Sequence, residues 1–156
     1  PWHQDAGVTL EEADESFILT VWLPVTEATI ENGCLEVIPK VRGLKTHYKS
    51  DSGTSILPEQ MPKSEGIALP VSPGDLVLMH KDTPHRSTPN LSDTVRWSID
   101  LRFQPTGSPT GRPAHPDFVT RSRSNPHSVL TDHERWCEMW EEGLAKGKGM
   151  RFHRVD

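Results

Sequence analysis

The sequence predicts a mainly β protein of one domain, a β-sandwich or jelly roll. About six short apolar segments alternate with turns rich in Pro and Gly, a spacing typical of these folds. The 156-residue chain contains 14 prolines, and 33% of its residues are hydrophobic, which argues against a helical bundle. A single segment, close to the carboxyl end, repeats its apolar residues at helical spacing.

Composition also restricts the function. The formal net charge is −5, so broad electrostatic capture of nucleic acid is not expected. No apolar run approaches the ~20 residues of a membrane span and no signal peptide is visible, so we expect a cytoplasmic protein that does not bind membranes. Cys34 and Cys137 have neither C-x-x-C spacing nor a disulfide framework, and both are expected as small core residues.

The first candidate site is the H-x-D pair His3 and Asp5. Residues two apart on a β-strand point to the same face, so an imidazole and a carboxylate would reach one point. Chance also produces such pairs, and the interpretation depends on a partner elsewhere. The pair lies at the edge of the chain, whereas a strand needs neighbours to fix its register. We therefore expect a fragment of a longer protein whose jelly-roll core, residues 1–104, lacks its first strands.

Several strands are predicted before His85 by runs of apolar and β-branched residues between turns. They cover residues 16–25, 34–39, 67–71 and 76–79. Asn32-Gly33 predicts the turn before the second of them, and Pro73-Gly74 predicts the turn before the last.

Residues 40–66 show no periodicity and contain several cations and a run rich in Ser, Gly and Pro. One interpretation is a solvated surface loop. The other is a mobile cover over the site, whose cations meet an anionic substrate and whose His47 contacts it.

Thr94 to Phe103 is the clearest strand, because its residues alternate almost strictly. Its apolar face holds Val95, Trp97, Ile99, Leu101 and Phe103, and its polar face holds Arg96, Ser98, Asp100 and Arg102. The polar face either meets water or turns toward a ligand cavity inside a barrel. The proximity of His85 favours the cavity.

The last third of the chain has a different character. Residues 105–130 are rich in Pro, Gly, Ser and Arg, which predicts an extended tail over the surface. The capping-box pattern Thr131-Asp-His-Glu134 predicts a helix over residues 131–146. Its residues Trp136 and Trp140 are expected to pack on the barrel or on a partner chain, without a role in chemistry.

His85 supplies a second imidazole from a later strand. Two His and one carboxylate on one face of an iron leave the opposite face open, the ligand set of non-heme Fe(II) oxygenases. Arg96 can grip a dicarboxylate bidentately, and the hydroxyl groups of Ser87 and Ser98 can assist it. A keto acid held in this way can chelate the iron and still leave one position for dioxygen.

Together these segments resemble the phytanoyl-CoA dioxygenase family. The resemblance covers residues 1–104 and is carried by His3-Gln4-Asp5, the strand ending at Trp22, Asn32 to Pro39, Pro73-Gly74-Asp75, and His85 with Arg96. Members of that family are Fe(II)- and 2-oxoglutarate-dependent oxygenases on a double-stranded β-helix, a cupin-like jelly roll. Two features depart from the family: Lys40-Val41-Arg42 stands where Gly-Ser/Thr-His is usual, and the family's amino-terminal part is not in this chain.

The resemblance implies the cofactor, the reaction and the site residues. Fe(II) is implied, with 2-oxoglutarate and dioxygen as co-substrates. The expected reaction hydroxylates a small organic or acyl substrate and releases succinate and carbon dioxide. The implied iron ligands are His3, Asp5 and His85, and the implied 2-oxoglutarate contacts are Arg96, Ser87, Ser98 and Trp22. Related halogenases place a small residue at the carboxylate position, so Asp5 favours hydroxylation over halogenation.

Two other functions fit the same residues. A zinc hydrolase can use His3, Asp5 and His85 with a water, although it has no use for Arg96. A cupin-like binding module that has lost turnover also fits. Asp82 is a competing carboxylate, and the remaining histidines are expected to be surface or supporting groups. The sequence specifies neither the substrate nor the oligomeric state.

Overall fold

The computed structural model describes residues 1–155. Within that range eight strands and two α-helices form a mainly antiparallel β structure. The strands are β1 (Leu19–Pro24), β2 (Leu35–Val37), β3 (His47–Ser50), β4 (Gly53–Ile56), β5 (Ile67–Leu69), β6 (Val77–His80), β7 (His85–Ser87) and β8 (Ser98–Phe103). The helices are α1 (Asp5–Val8) and α2 (His133–Lys146).

The strands form two three-stranded sheets and a hairpin. One sheet has the order β6-β1-β8, the other has the order β5-β2-β7, and β3 pairs with β4. The chain passes from one sheet to the other between β1 and β2, β5 and β6, β6 and β7, and β7 and β8. Neighbouring strands are therefore distant in sequence, as in a jelly roll.

A small apolar core holds the sheets together. It consists of Trp22, Ala28, Cys34, Leu35, Val37 and Met79, all buried. Cys34 is fully buried, as expected for a core thiol, whereas Cys137 is only half-buried on α2. The turn dipeptide Asn32-Gly33 precedes β2, and Gly33 has a φ of 92°, in the region that favours glycine.

The structure corrects two predictions about strands and loops. His3 and Asp5 do not share a strand: His3 forms an isolated bridge with His85, and Asp5 begins helix α1. The predicted loop 40–66 contains the hairpin β3–β4. Its strands are polar on their exposed side and bury only a few residues, so the sequence carries no alternating apolar pattern.

The predicted strands otherwise form, most of them with shorter bounds, and the strand predicted over 76–79 is shifted by one residue to Val77–His80. β8 begins at Ser98. The carbonyl of the preceding Trp97 accepts hydrogen bonds from the amides of Val25 and Thr26, just beyond the end of β1. Helix α2 begins at His133, two residues after the predicted start at residue 131, because Asp132 is the cap. Its carboxylate accepts hydrogen bonds from the amides of Glu134 and Arg135 at 2.9 and 3.2 Å.

Helix α2 packs on the tail and not on the core of the sheets. A Cβ at Gly143 would meet the Ala114 carbonyl oxygen at 2.7 Å, so this glycine permits the close approach. The ring of Trp140 lies 5.5 Å from that of His115, and no residue of the helix is fully buried.

Among residues 1–155, no helix is long and apolar enough to cross a bilayer.

Candidate metal and co-substrate site

Three side chains converge on one point, two from the first five residues of the chain and one from β7. His3, Asp5 and His85 each present a possible ligand atom, and these atoms lie within 4.8 Å of one another. The two imidazole rings are 4.3 Å apart between centroids. Their backbones form a reciprocal bridge, in which each amide donates to the other residue's carbonyl at 3.1 and 2.9 Å. The bridge fixes the separation of the two rings.

Asp5 reaches the same point through a turn. Gln4 is extended, with φ −115° and ψ 143°, and the chain then coils into α1. The Ala6 amide donates to the Lys81 carbonyl at 3.1 Å, which holds the helix start beside the segment that leads to His85. The predicted convergence of the H-x-D pair is therefore observed, but a bridge followed by a short helix replaces the predicted strand face.

Each imidazole has one ring nitrogen held by a backbone carbonyl. His3 Nδ1 lies 3.0 Å from the Pro1 oxygen, and His85 Nδ1 lies 2.9 Å from the Thr83 oxygen. Because a carbonyl only accepts, each neutral ring carries its proton on Nδ1, which leaves a lone pair on Nε2. Burial and the nearby His85 ring lower the pKa of His3 to about 4. His3 is thus neutral at neutral pH, the form that binds metals.

The Asp5 carboxylate is held by donors from two strands. Arg102 Nη2 donates to Oδ1 at 2.6 Å, and the Thr20 hydroxyl donates to Oδ2. Burial acts to raise the pKa of Asp5, but the Arg102 guanidinium, His85 and these hydrogen bonds outweigh it, so the pKa of Asp5 is lowered. The carboxylate is therefore ionised while buried.

Gln4 anchors the segment between the two candidate ligands. Its side chain is fully buried, donates to the Gly43 and Asp82 carbonyls at 3.0 and 2.6 Å, and accepts from the Lys45 amide at 2.7 Å. Its own amide donates to His47 Nε2 at 3.0 Å. These partners lie on the segment that leads into β3, on the first residue of β3 and on the loop between β6 and β7.

His47, predicted as a substrate contact on a mobile cover, is buried in this network. Its Nδ1 lies 2.8 Å from the Lys45 carbonyl and its Nε2 accepts from Gln4, so protein groups engage both ring nitrogens. A Cβ at Gly7 would clash with the ring. The structure thus gives His47 a supporting position. The competing carboxylate Asp82 is directed to the Gly43 amide at 3.1 Å, away from the three converging groups.

The four predicted co-substrate contacts form one cluster around Arg96. Its guanidinium donates to the hydroxyls of Ser98 and Ser87 at 2.7 and 3.0 Å, and its Nε donates to the Gly33 carbonyl at 2.9 Å. Its Cζ atom lies 5.3 Å from the centroid of the Trp22 ring. The polar face of β8 therefore turns inward, as the cavity interpretation requires.

A cavity of about 420 Å³ borders Asp5. One wall comes from β8, including Arg102, and the opposite wall comes from the tail and helix α2, including His115, Phe118 and Trp140. Its volume lies within the range of small-molecule pockets. The tail and Trp140, expected to serve only packing, thus enclose space beside a candidate ligand.

The donor set fits a ferrous ion. Two imidazoles and one carboxylate are the facial ligand set of non-heme Fe(II) sites, and His3, Asp5 and His85 bring these three groups together. A family model described as Phytanoyl-CoA dioxygenase (PhyH) matches residues 1–98, the part of the chain that contains these groups.

This chain belongs to the phytanoyl-CoA dioxygenase family.

The family assignment confirms the resemblance read from the sequence, and individual relatives agree with it. The chain is 33% identical over 127 residues to phytanoyl-CoA dioxygenase domain-containing protein 1 of Bos taurus, covering 67% of this chain and 43% of that protein. The chain therefore spans less than half the length of this curated relative.

Solved structures confirm the jelly-roll fold. EvdO2 from Micromonospora carbonacea var. aurantiaca matches 67% of this chain and 44% of its own with a TM-score of 0.59 and 30% identity. A second EvdO2 structure, complexed with 2-oxoglutarate, matches 71% of this chain and 49% of its own with a TM-score of 0.55 and 25% identity. A non-heme monooxygenase, ThoJ, shares the fold over 96% of this chain and 62% of its own, with a TM-score of 0.58 and 21% identity.

Sequence reasoning missed the groups that hold the site in place. Thr20 interrupts the apolar run of β1, a signal that it serves a polar partner. Arg102 lies on the polar face that alternation predicts, but its partner depends on the register of β8 against β1. Gln4 stands between the two H-x-D residues, and the sequence gives no sign of its three side-chain hydrogen bonds.

Proposed function

We propose that this chain binds Fe(II) and 2-oxoglutarate and uses dioxygen to hydroxylate a small organic substrate. In this reaction one oxygen atom enters the substrate as a hydroxyl group, the other enters succinate, and 2-oxoglutarate loses carbon dioxide. The observation that carries the proposal is the junction on β7, where His85 belongs to the converging ligand set and Ser87, two residues on, belongs to the Arg96 cluster. A metal site and a dicarboxylate site are thereby adjacent.

The residues of the ligand set would hold the ion on one side only. The Nε2 lone pairs of His3 and His85 and a carboxylate oxygen of Asp5 would bind it. The bound iron would supply the redox chemistry that couples decarboxylation of the keto acid to oxidation of a C–H bond. The opposite side stays available for co-substrate and dioxygen.

The Arg96 cluster would bind the far carboxylate of 2-oxoglutarate. The guanidinium presents several donors in a fixed plane, and Ser87 and Ser98 already align with it. The Trp22 ring beneath the guanidinium restricts its movement. The 2-oxoglutarate complex of EvdO2, a relative by fold and sequence, supports this co-substrate.

The cavity beside Asp5 is the proposed place of the organic substrate. Its volume of about 420 Å³ suits a compact molecule, and it adjoins the carboxylate that would bind the ion. Walls from the tail and α2 would exclude water from the oxidised position, which prevents unproductive reactions.

The decisive experiment is anaerobic addition of Fe(II) and 2-oxoglutarate to the purified chain. We expect a weak visible charge-transfer band, followed by release of succinate when dioxygen is admitted. Zn(II) in place of Fe(II) should give neither signal, which separates this function from a zinc hydrolase on the same residues. If the band forms without succinate release, the chain is a binding module. If neither signal is seen, the proposed function is wrong.

A further inference from the structure

We propose that Arg102 and Thr20 are positioning residues that fix the Asp5 carboxylate in the orientation in which it receives the metal ion. The inference rests on the proposed function, since it concerns the ion that Asp5 would bind. Its subject is a pair of residues outside the ligand set and outside the Arg96 cluster.

The geometry places one donor on each carboxylate oxygen. Arg102 Nη2 lies 2.6 Å from Oδ1, and the Thr20 hydroxyl donates to Oδ2. Two donors on separate oxygens prevent rotation of the carboxylate about its Cβ–Cγ bond. Each oxygen retains a second lone pair, so the hold leaves the carboxylate able to bind an ion.

The two donors are themselves fixed by the sheet. Thr20 and Arg102 are directly opposite each other in the antiparallel pairing of β1 and β8, so their side chains lie on the same face. The Asp5 side chain is 4% exposed, and the Arg102 side chain is 41% exposed. Arg102 therefore approaches the buried carboxylate from the cavity that it also lines.

A competing explanation is that Arg102 substitutes for a metal ion as the counter-charge of Asp5. The two explanations predict opposite results. If Arg102 competes with the ion, its removal should tighten metal binding, and the uncharged Thr20 should have no effect. If both residues orient the carboxylate, removal of either should weaken metal binding. The hydrogen bond from Thr20 favours the explanation that the two residues orient the carboxylate, because a hydroxyl group can direct it without adding a charge.

The test measures metal affinity independently of turnover. Co(II) is titrated into the chain with 2-oxoglutarate under anaerobic conditions and followed by its visible absorption. Arg102→Gln is expected to weaken Co(II) binding by about tenfold and to shift the visible bands, since partners of metal ligands typically contribute ~10- to 100-fold. Thr20→Val should weaken binding less, and Thr20→Ser should restore it to within about twofold.

The matched control is Arg135→Gln. Arg135 pairs with Glu142 at 2.9 Å and its side chain is 46% exposed, so its exposure is similar to that of Arg102, but it lies on helix α2 and belongs neither to the ligand set nor to the cavity lining. It should change Co(II) affinity by less than about twofold. Thermal unfolding followed by circular dichroism identifies any variant that has lost its fold; should Arg102→Gln unfold, Arg102→Lys and Thr20→Val carry the test.

The outcomes separate the two levels of inference. Wild-type binding combined with unchanged or tighter binding by the Arg102 and Thr20 variants would overturn the positioning role and leave the proposed function intact. A wild-type chain that binds Co(II) neither alone nor with 2-oxoglutarate would overturn both.

Discussion

The two faces of the sheet β6-β1-β8 make different contacts. On the inner face, Trp22 and Met79 are buried in the core, and Thr20 and Arg102 hold the Asp5 carboxylate. Ser98 on this face accepts a hydrogen bond from Arg96 at 2.7 Å. The inner face therefore combines the packing of the domain with the orientation of its candidate site.

The outer face of the same sheet is apolar but exposed. Leu78 on β6 is 57% exposed, and Leu101 on β8 is 42% exposed. The register places both directly opposite Val21 of β1. Apolar character alone thus does not identify the core in this sheet.

The difference shows that burial follows the contacts of a face and not its polarity. In an ordinary amphipathic strand the polar face meets water and the apolar face meets the core. In β8 the polar face turns toward the protein interior, because Arg96 and Arg102 find hydroxyl, carbonyl and carboxylate partners there. Substitutions on the two faces should accordingly have unequal effects.

The largest effect is expected from removal of an inner-face ligand. Asp5→Ala or His85→Ala should lower iron-dependent turnover by at least about a hundredfold, because each removes one of three proposed ligands. Asp82→Asn is the control, since its carboxylate is directed to the Gly43 amide. Succinate release measures the effect, and activity of either alanine variant within twofold of wild type would reject the ligand assignment.

Two adjacent residues of β6 compare the faces directly. Met79→Ala should destabilise the domain by about 2–5 kcal/mol, because it leaves a cavity in the core. Leu78→Ala should cost less than about 1 kcal/mol, because that side chain is already exposed. Urea unfolding of the two variants measures both values. Equal costs would show that the outer face is packed in solution.

Arg96→Ala should raise the 2-oxoglutarate requirement by at least ~10-fold, since loss of a charged hydrogen-bonded pair costs ~2 kcal/mol. The 2-oxoglutarate requirement of Arg96→Lys should lie between those of the wild type and Arg96→Ala, because lysine retains the charge but not the planar fork of the guanidinium. The half-saturating 2-oxoglutarate concentration is measured from succinate release. An unchanged requirement in the alanine variant would remove Arg96 from the co-substrate site.

The smallest effect concerns the stability of the metal-free protein. The pKa of His3 is about 4 in the folded chain against 6.5 for an ordinary His, so between these values the unfolded chain binds more protons. Stability should therefore fall as pH decreases through this window, by on the order of 1 kcal/mol from His3 between about pH 7 and pH 5. The lowered pKa values of His47 and His115 act in the same direction.

Chelator-treated protein unfolded in urea at the two pH values gives the measurement. His3→Gln should reduce the pH dependence without removing it, because the other two histidines remain. A variant with the same pH dependence as wild type would contradict the lowered pKa.

The sequence alone determined the mainly β fold, the family and most strands. Alternation along 94–103 assigned each residue of β8 to its face, because side-chain direction in a strand has a local period of two. The same period of two predicted which residues act together at the candidate sites. His85 and Ser87 lie two apart and share a face, and so do Arg96 and Ser98.

Tertiary structure decided how these groups meet. Asp5 reaches His3 through a bridge and a short helix, which no local pattern indicates. The hydrogen bonds from Thr20 and Arg102 to Asp5 depend on the register of two strands about 80 residues apart in the sequence. Long-range packing fixes that register. A local pattern assigns a side chain to a face, whereas only the packed sheet determines which atom it meets.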